Sequence, residues 1–297
     1  MKRYGNAIRD TAGDKAFLAV ITVLSFLILC AVAYPLIYVL SASFSDGDSV
    51  MAGKVYLLPV KPSLDGYGKV FEDGAILTGL KNSLIYTSAG TLINMAMTTL
   101  IAFPLSRRKL AGRRVIMFLV TFTMFFNGGL IPTFLVVQRL NMVDTRWAMI
   151  IPSAISTINL IIMRTYFENS IPEELGEAAS LDGCNNFQFL YRIVLPLSTP
   201  IMAVLILYYA VGHWNQYFNA LIYLRSSELI NLQLALRNIL LANQITGGDA
   251  SNFSEMAKVG MTVKYAVIVV SSLPVIIMYP FIQKYFVKGV MIGAIKG

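Results

Sequence analysis

Apolar runs set the rhythm of this chain. They cover about residues 16–40, 82–106, 115–137, 147–167, 197–224 and 263–286. Each is near the ~20 residues that an α-helix needs to cross a bilayer. The pattern predicts an all-α polytopic membrane protein with six transmembrane helices. Two runs are irregular. Phe125-Phe126-Asn127-Gly128-Gly129 and Pro132 interrupt the third, and such breaks are tolerated in membranes where neighbours or a pathway satisfy the backbone. The fifth carries His213-Trp214-Asn215-Gln216-Tyr217-Phe218-Asn219. Polar groups at that depth are costly unless they face a cavity or a partner. The sixth is expected to kink at Pro274 and Pro280.

The polar intervals give the orientation. Residues 41–81 and 225–262 are too polar to span and are expected outside. Within them, residues 64–73 read as a surface loop, and Leu232-Gln233-Leu234-Ala235-Leu236 predicts a short amphipathic segment. Arg107, Arg108, Lys109, Arg113 and Arg114 follow the second run. That cluster places its turn inside, whereas the turn after the third run holds only Arg139 and Arg146. Both termini are then inside, with Lys2, Arg3, Arg9 and Lys15 in the first tail and Lys288 and Lys296 in the last. The net charge of +8 lies largely beside spans, so it is read as setting topology and not as nucleic-acid affinity; membrane lipid is an expected partner, nucleic acid is not. Cys30 and Cys184, the two cysteines, do not suggest a disulfide framework. A cleavable signal peptide is not evident in the first run.

One stretch does not read as membrane. Residues 173–196, EELGEAASLDGCNNFQFLYRIVLP, carry acids, an arginine and amides between the fourth and fifth runs. Ser170 as cap, Pro172 in the first turn and Glu173 and Glu174 at the positive end predict a helix start. Leu175, Ala178, Ala179 and Asp182 follow at helical spacing, and Gly183 breaks the pattern. Asn185 or Asn186 can cap a second short helix, Phe187 to Ile193, closed by Pro196. The expectation is a helix–turn–helix.

Glu177-Ala178-Ala179, then Gly183, then Ile193 and Leu195-Pro196 match the EAA motif. The chain thereby resembles the membrane subunits of binding-protein-dependent ABC importers. Asn82-Ser83, Pro104-Leu105-Ser106-Arg107 and the closing VKGVMIGAIKG are similar to the MalG-like carbohydrate permeases. FFNGGLIPTFL and LDGYGKVF look like a subgroup for oligosaccharides and polysaccharides, the alginate importer among them. Phe103-Pro104 departs from the usual Ala-Tyr-Ala.

The resemblance implies the type I ABC importer permease fold in a bacterial cytoplasmic (inner) membrane. Residues 1–81 would form the tail, first span and outer loop, and 82–297 the core permease domain with a coupling loop over 168–197. Implied partners are a second permease subunit of different sequence, two ATPase subunits and an extracytoplasmic sugar-binding protein. ATP and Mg would bind the partner ATPase, with no cofactor in this chain. Glu177, Ala178, Ala179, Gly183, Leu195 and Pro196 would dock the ATPase.

Substrate contacts are expected from aromatic faces and amides: Asn127 in the third span, and Trp214, Asn215, Gln216, Tyr217 and Asn219 in the fifth. Hydrogen bonds that only join helices explain the same residues equally well. No GxxxxGK[ST] loop, Ser/His/Asp or Cys/His set, metal-ligand cluster or carboxylate pair at membrane depth occurs, so the chain is read as a transport subunit and not an enzyme. A secondary transporter, or a membrane scaffold uncoupled from any ATPase, is the alternative. The near absence of ionisable groups in the spans weakens the former.

Overall fold

The computed structural model describes residues 11–245, 260–280 and 283. The expected basic tail before Thr11, the middle of the second outer loop and the closing VKGVMIGAIKG lie outside the described residues. Two compact bodies divide the chain: Met1–Glu72 with Asn243–Val269, and Asp73–Ala242 with Val270–Gly297.

In the first body, α1 (Ala12–Ser43) starts at Thr11. The Thr11 Oγ1 accepts from the Asp14 amide at 3.2 Å and Asp14 Oδ2 accepts from the Thr11 amide at 2.9 Å, a reciprocal cap that satisfies two otherwise orphaned donors. At ~1.5 Å per residue its 32 residues outreach the ~30 Å hydrocarbon core. Only Ser41, Ala42 and Ser43 at its end are buried. There α1 meets α2 (Gly47–Met51) and the following loop. Ser41 Oγ donates to the Leu57 carbonyl at 2.6 Å, and Ala42, Val50 and Val55 form a small core. Residues 64–73, read as loop, instead form α3 (Asp65–Glu72).

The second body is built on α4 (Gly74–Ser106), capped by Asp73, whose Oδ1 accepts from the Ala75 amide at 2.8 Å. Small and polar residues line its buried face: Ser83, Gly90, Thr91, Asn94, Thr98 and Ala102. Such residues let helix backbones approach closely in a membrane. On that face α4 packs against α8 (Thr157–Ser170) and α12 (Thr199–Trp214). The main core lies there, with Met95, Phe103, Met163, Phe167 and Leu205.

The spans are less regular than the apolar runs. Among the described residues three helices are long and apolar enough to cross alone: α1, α4 and α15 (Gly260–Pro280). Three bent pairs pass together, which allows up to six spans among the described residues. The third run does break where expected. α5 (Arg113–Phe125) and α6 (Leu130–Arg139) meet at 113°, with Gly129 at φ +85°. The fourth is also broken, by 52° between Trp147–Ser153, which contains α7 (Trp147–Ile150), and α8.

The fifth run was expected unbroken to Leu224. Instead α12 stops at Trp214 and α13 (Tyr217–Tyr223) begins after Gln216. The turn closes through a 2.7 Å bond from the Tyr217 amide to the Asn215 carbonyl. The amphipathic segment at Leu232 extends to α14 (Leu232–Ile245).

Candidate functional site: the hairpin between α8 and α12

The helix–turn–helix forms, with different ends. Ser170 does not cap it, because it is the last residue of α8. Ile171 is extended, at φ −114° and ψ 97°, as the residue before a proline prefers. Pro172 therefore takes the cap position of α9 (Glu173–Leu181), with Glu173 and Glu174 in the first turn. The turn after α9 is tied twice: the Gly183 amide donates to the Ser180 carbonyl at 3.1 Å and the Cys184 amide to the Ala179 carbonyl at 2.9 Å. These are the two bonds of a Schellman closure, which needs a left-handed residue past the helix end. Gly183 supplies it at φ +77°.

Asn185, one of the two cap candidates, then caps α10 (Asn186–Phe189). Its Oδ1 accepts from the Gln188 amide at 2.8 Å, and Gln188 Oε1 accepts from the Asn185 amide at 3.0 Å. Pro196 does not close this helix. A π-helical turn over Leu190–Val194 carries the chain into α11 (Leu195–Leu197) with Pro196 inside it. Proline lacks an amide hydrogen for the i−4 carbonyl, and a widened turn accommodates that loss. The axis next bends by 85° into α12.

The hairpin has one welded face and one bare face. Ala179, Phe189, Leu190 and Val194 are buried with Phe103, Phe167 and Ile171 in the main core. Gly183, Ala178 and Pro196 are exposed, and Leu195 is half-buried against that core. Away from that core the hairpin exposes Leu181 at 90 %, Phe187 at 74 % and Tyr191 at 75 %, the first two at the rim of a cavity toward α4. Isolated exposed apolar residues are ordinary, but three large ones on one small polar hairpin mark a contact surface.

The end of α4 clamps the hairpin. The Arg107 guanidinium lies 5.0 Å from the Phe103 ring centroid and 4.7 Å from that of Phe189, so two aromatic faces hold one cation. Burial pulls its pKa below the ordinary arginine value, opposed by the charge of Glu173. Arginine nevertheless stays charged at any working pH. Alongside, Lys109 Nζ lies 3.0 Å from Glu177 Oε1 and Arg108 Nε 3.5 Å from Glu173 Oε1. These pairs are exposed and each contributes ~1 kcal/mol at most. A cavity of about 880 Å³ separates the end of α4 from the hairpin, lined among others by Phe103, Arg107, Gly176, Phe187 and Phe189. Sequence reasoning missed Phe103 and Phe189 as parts of this site. The i,i+4 spacing of Phe103 and Arg107 was the available signal, and the odd Phe103-Pro104 pair is where the clamp sits.

The residues expected on a substrate path do not assemble into one surface. Trp214 is buried, and its Nε1 donates to the Ser271 carbonyl at 2.9 Å. Gln216 Nε2 donates to Ser153 Oγ at 3.1 Å, while the Gln216 backbone carbonyl accepts from Asn231 Nδ2 at 2.8 Å. Tyr217 packs with Tyr86 and Met149. Asn215 is exposed at the end of α12, Asn219 is half-buried in α13, and Asn127 is exposed at the break after α5, where its Oδ1 accepts from the Gly129 amide at 3.0 Å. Trp214 and Gln216 thus join helices. Asn215 keeps its side chain, and Asn127 its amide NH2, available for another contact. His213 Nε2 donates to Asn94 Oδ1 at 2.8 Å, and Asn94 Nδ2 donates to the Ser153 carbonyl. Among the described residues no His, Cys, Asp and Glu group could hold a metal ion.

Broken membrane helices and a clamped polar hairpin with a bare apolar face define an integral membrane transport subunit that meets a partner protein. Comparison with known proteins gives the particular family: residues 90–292 match the binding-protein-dependent transport system inner membrane component, and the chain belongs to that family. It is a permease subunit of an ABC importer, not itself an enzyme; the ATPase resides on a separate chain. The polygalacturonan/rhamnogalacturonan transport system permease YtcP of Bacillus subtilis (strain 168) is 44 % identical over 92 % of this chain and 95 % of its own length. Protein LplC of the same organism is 38 % identical over 89 % of each chain. Among solved structures, a chain of a bacterial ABC transporter involved in import of the acidic polysaccharide alginate is 37 % identical. It superposes with a TM-score of 0.86 over 93 % of this chain and 99 % of its own.

Proposed function

We propose that this permease forms half of a path for an acidic oligosaccharide, and that the hairpin 173–197 couples that path to an ATPase subunit. The observation that carries the coupling is the two-faced hairpin. One face is built into the core shared by α4, α8 and α12, and the other offers Leu181, Phe187 and Tyr191. A push on the bare face is transmitted to the spans because close-packed interiors do not absorb displacement. Glu177, Ala178, Ala179, Gly183, Leu195 and Pro196 shape this element, and Gly183 sets its turn. ATP and Mg belong to the partner ATPase. Both termini and the hairpin lie inside, on the side of Arg107, Arg108, Lys109, Arg113 and Arg114, as the charge rule requires. The second permease subunit is a different chain.

The substrate class is supported by relatives whose own names specify polygalacturonan/rhamnogalacturonan and alginate. Asn127 and Asn215 are the exposed amides available to hydrogen-bond a sugar. The test is ATP hydrolysis by the reconstituted complex with its binding protein, given galacturonate oligomers, alginate oligomers or neutral arabino-oligomers. Stimulation by an acidic oligomer and none by the neutral one is expected. Stimulation by the neutral oligomer alone refutes the substrate class.

A further inference from the structure

A second cavity, of about 560 Å³, opens beside the turn that joins α4 to α5. Arg108, Arg113, Arg114 and Arg164 line it together with Leu110, Val115 and Met117. Its size falls within the ~300–1,000 Å³ typical of small-molecule sites, and no carboxylate faces into it. The nearby acids are already engaged. Glu168 takes both Arg113 and Arg164, the latter at 2.5 Å, and Glu173 takes Arg108. Arg164 is further held by its Nε bond to the Leu105 carbonyl at 3.1 Å. Four guanidiniums against two carboxylates leave two positive charges, and Arg114 has no ion pair among the described residues. α5 also starts here, at Gly112, with no side-chain cap, so its positive end adds to the field.

The apolar part of the lining continues outward. α5 buries none of its residues, and Val115, Phe118 and Leu119 are 63 %, 67 % and 55 % exposed. The site is therefore amphiphilic: a cationic cup at the foot of a bare apolar helix. An acidic protein loop would match the cup and leave that helix wall unused. An amphiphile with an anionic head and alkyl tails matches both.

We infer that this cavity binds the headgroup phosphate of an anionic phospholipid, with the acyl chains lying along α5, on the reading that this turn faces the cytoplasm. The cytoplasmic leaflet supplies such lipids, and basic pockets between membrane helices on that side hold their heads. Arg114, exposed and unpaired, is free to take the phosphate. Arg113 and Arg164 are already held by Glu168, so the ligand need not order them.

The test uses the importer complex extracted in detergent, delipidated and titrated with phosphatidylglycerol or phosphatidylcholine micelles, with bound lipid read by native mass spectrometry. Preferential retention of one phosphatidylglycerol per copy of this chain is expected. Arg114→Gln is expected to weaken it about fivefold, and Arg108→Gln/Arg114→Gln roughly 25-fold, with phosphatidylcholine unchanged. Equal retention of the two lipids by wild type, or unchanged phosphatidylglycerol affinity in the double variant, overturns the site. So does loss of the ATPase subunits from the double variant with lipid retention intact, since the arginines would then hold a protein. Lipid retention is read without ATP or sugar, so a failure of the coupling hypothesis leaves it interpretable. Labelling of Arg114→Cys by an impermeant maleimide in inside-out but not right-side-out vesicles checks the orientation separately.

Discussion

Gly90→Ala is the sharpest test of the seam between α4 and α12. A Cβ at Gly90 would lie 2.4 Å from both Cε1 and Nε2 of His213 and 2.7 Å from its Cδ2. Ordinary van der Waals contact begins near 3.4 Å, so the imidazole must retreat by about 1.0 Å. It has little freedom to do so. His213 is 3 % exposed, and its bond to Asn94 is backed by the bond from Asn94 to Ser153. The cost combines overpacking, about 1–3 kcal/mol, with strain or loss of a buried hydrogen bond, about 1–3 kcal/mol. A loss of roughly 2–6 kcal/mol follows, read as a fall in the unfolding temperature of the purified protein. His213→Ala should cost about 1–3 kcal/mol by leaving Asn94 without its donor. The double variant Gly90→Ala/His213→Ala should then cost little more than His213→Ala alone, because the clash is gone. Full additivity of the two losses, or an unchanged melting temperature for Gly90→Ala, refutes this packing.

Trp214→Phe removes the indole donor to Ser271 and is expected to lower stability by about 1–2 kcal/mol. The oligosaccharide preference of binding-protein-stimulated ATP hydrolysis should be unchanged; a changed preference would return Trp214 to the substrate path. Asp144 is held below the usual carboxylate range by its bond from the Ser226 hydroxyl, then by the Ser226 and Arg225 amides. A lowered folded pKa means that its contribution is complete above the ordinary value near ~4 and is lost as pH falls through the lowered value. Hydrogen exchange at the Ser226 amide should therefore be slow and pH-independent in its protection down to the ordinary carboxylate range. Asp144→Asn should weaken that protection at neutral pH, and equal protection in the two proteins contradicts the assignment.

The legible parts of this molecule were those governed by local chemistry. Gly183 announced a turn because few other residues tolerate φ +77°, and Asn185 with Gln188 forms a reciprocal cap that both side chains permit. The polar break at Phe126–Gly129 was visible because glycine and asparagine disfavour a continuous helix. Misread features depended on context. Ser170 can cap a helix, but α8 runs through it, and proline at 172 fixes the register instead. Pro196 normally ends a helix, yet a π turn one step earlier accommodates it. Hydropathy favours a helix through Asn215 and Gln216, whereas their backbone closes a turn and Gln216 bonds Ser153 and Asn231. The clamp of Phe103, Arg107 and Phe189 joins residues more than 80 positions apart, which periodicity within one helix cannot reveal.

The claim that the hairpin drives the spans is tested most directly by binding-protein-stimulated ATP hydrolysis of the reconstituted complex bearing Gly183→Pro or Glu177→Lys. Proline cannot adopt φ +77°, and Glu177→Lys would set a second cation against Lys109 in place of the present ion pair. Stimulation is expected to collapse about tenfold or more in Gly183→Pro, a shift of ~1.4 kcal/mol in coupling, while the complex still assembles in the membrane. Stimulation equal to wild type in both variants would contradict it.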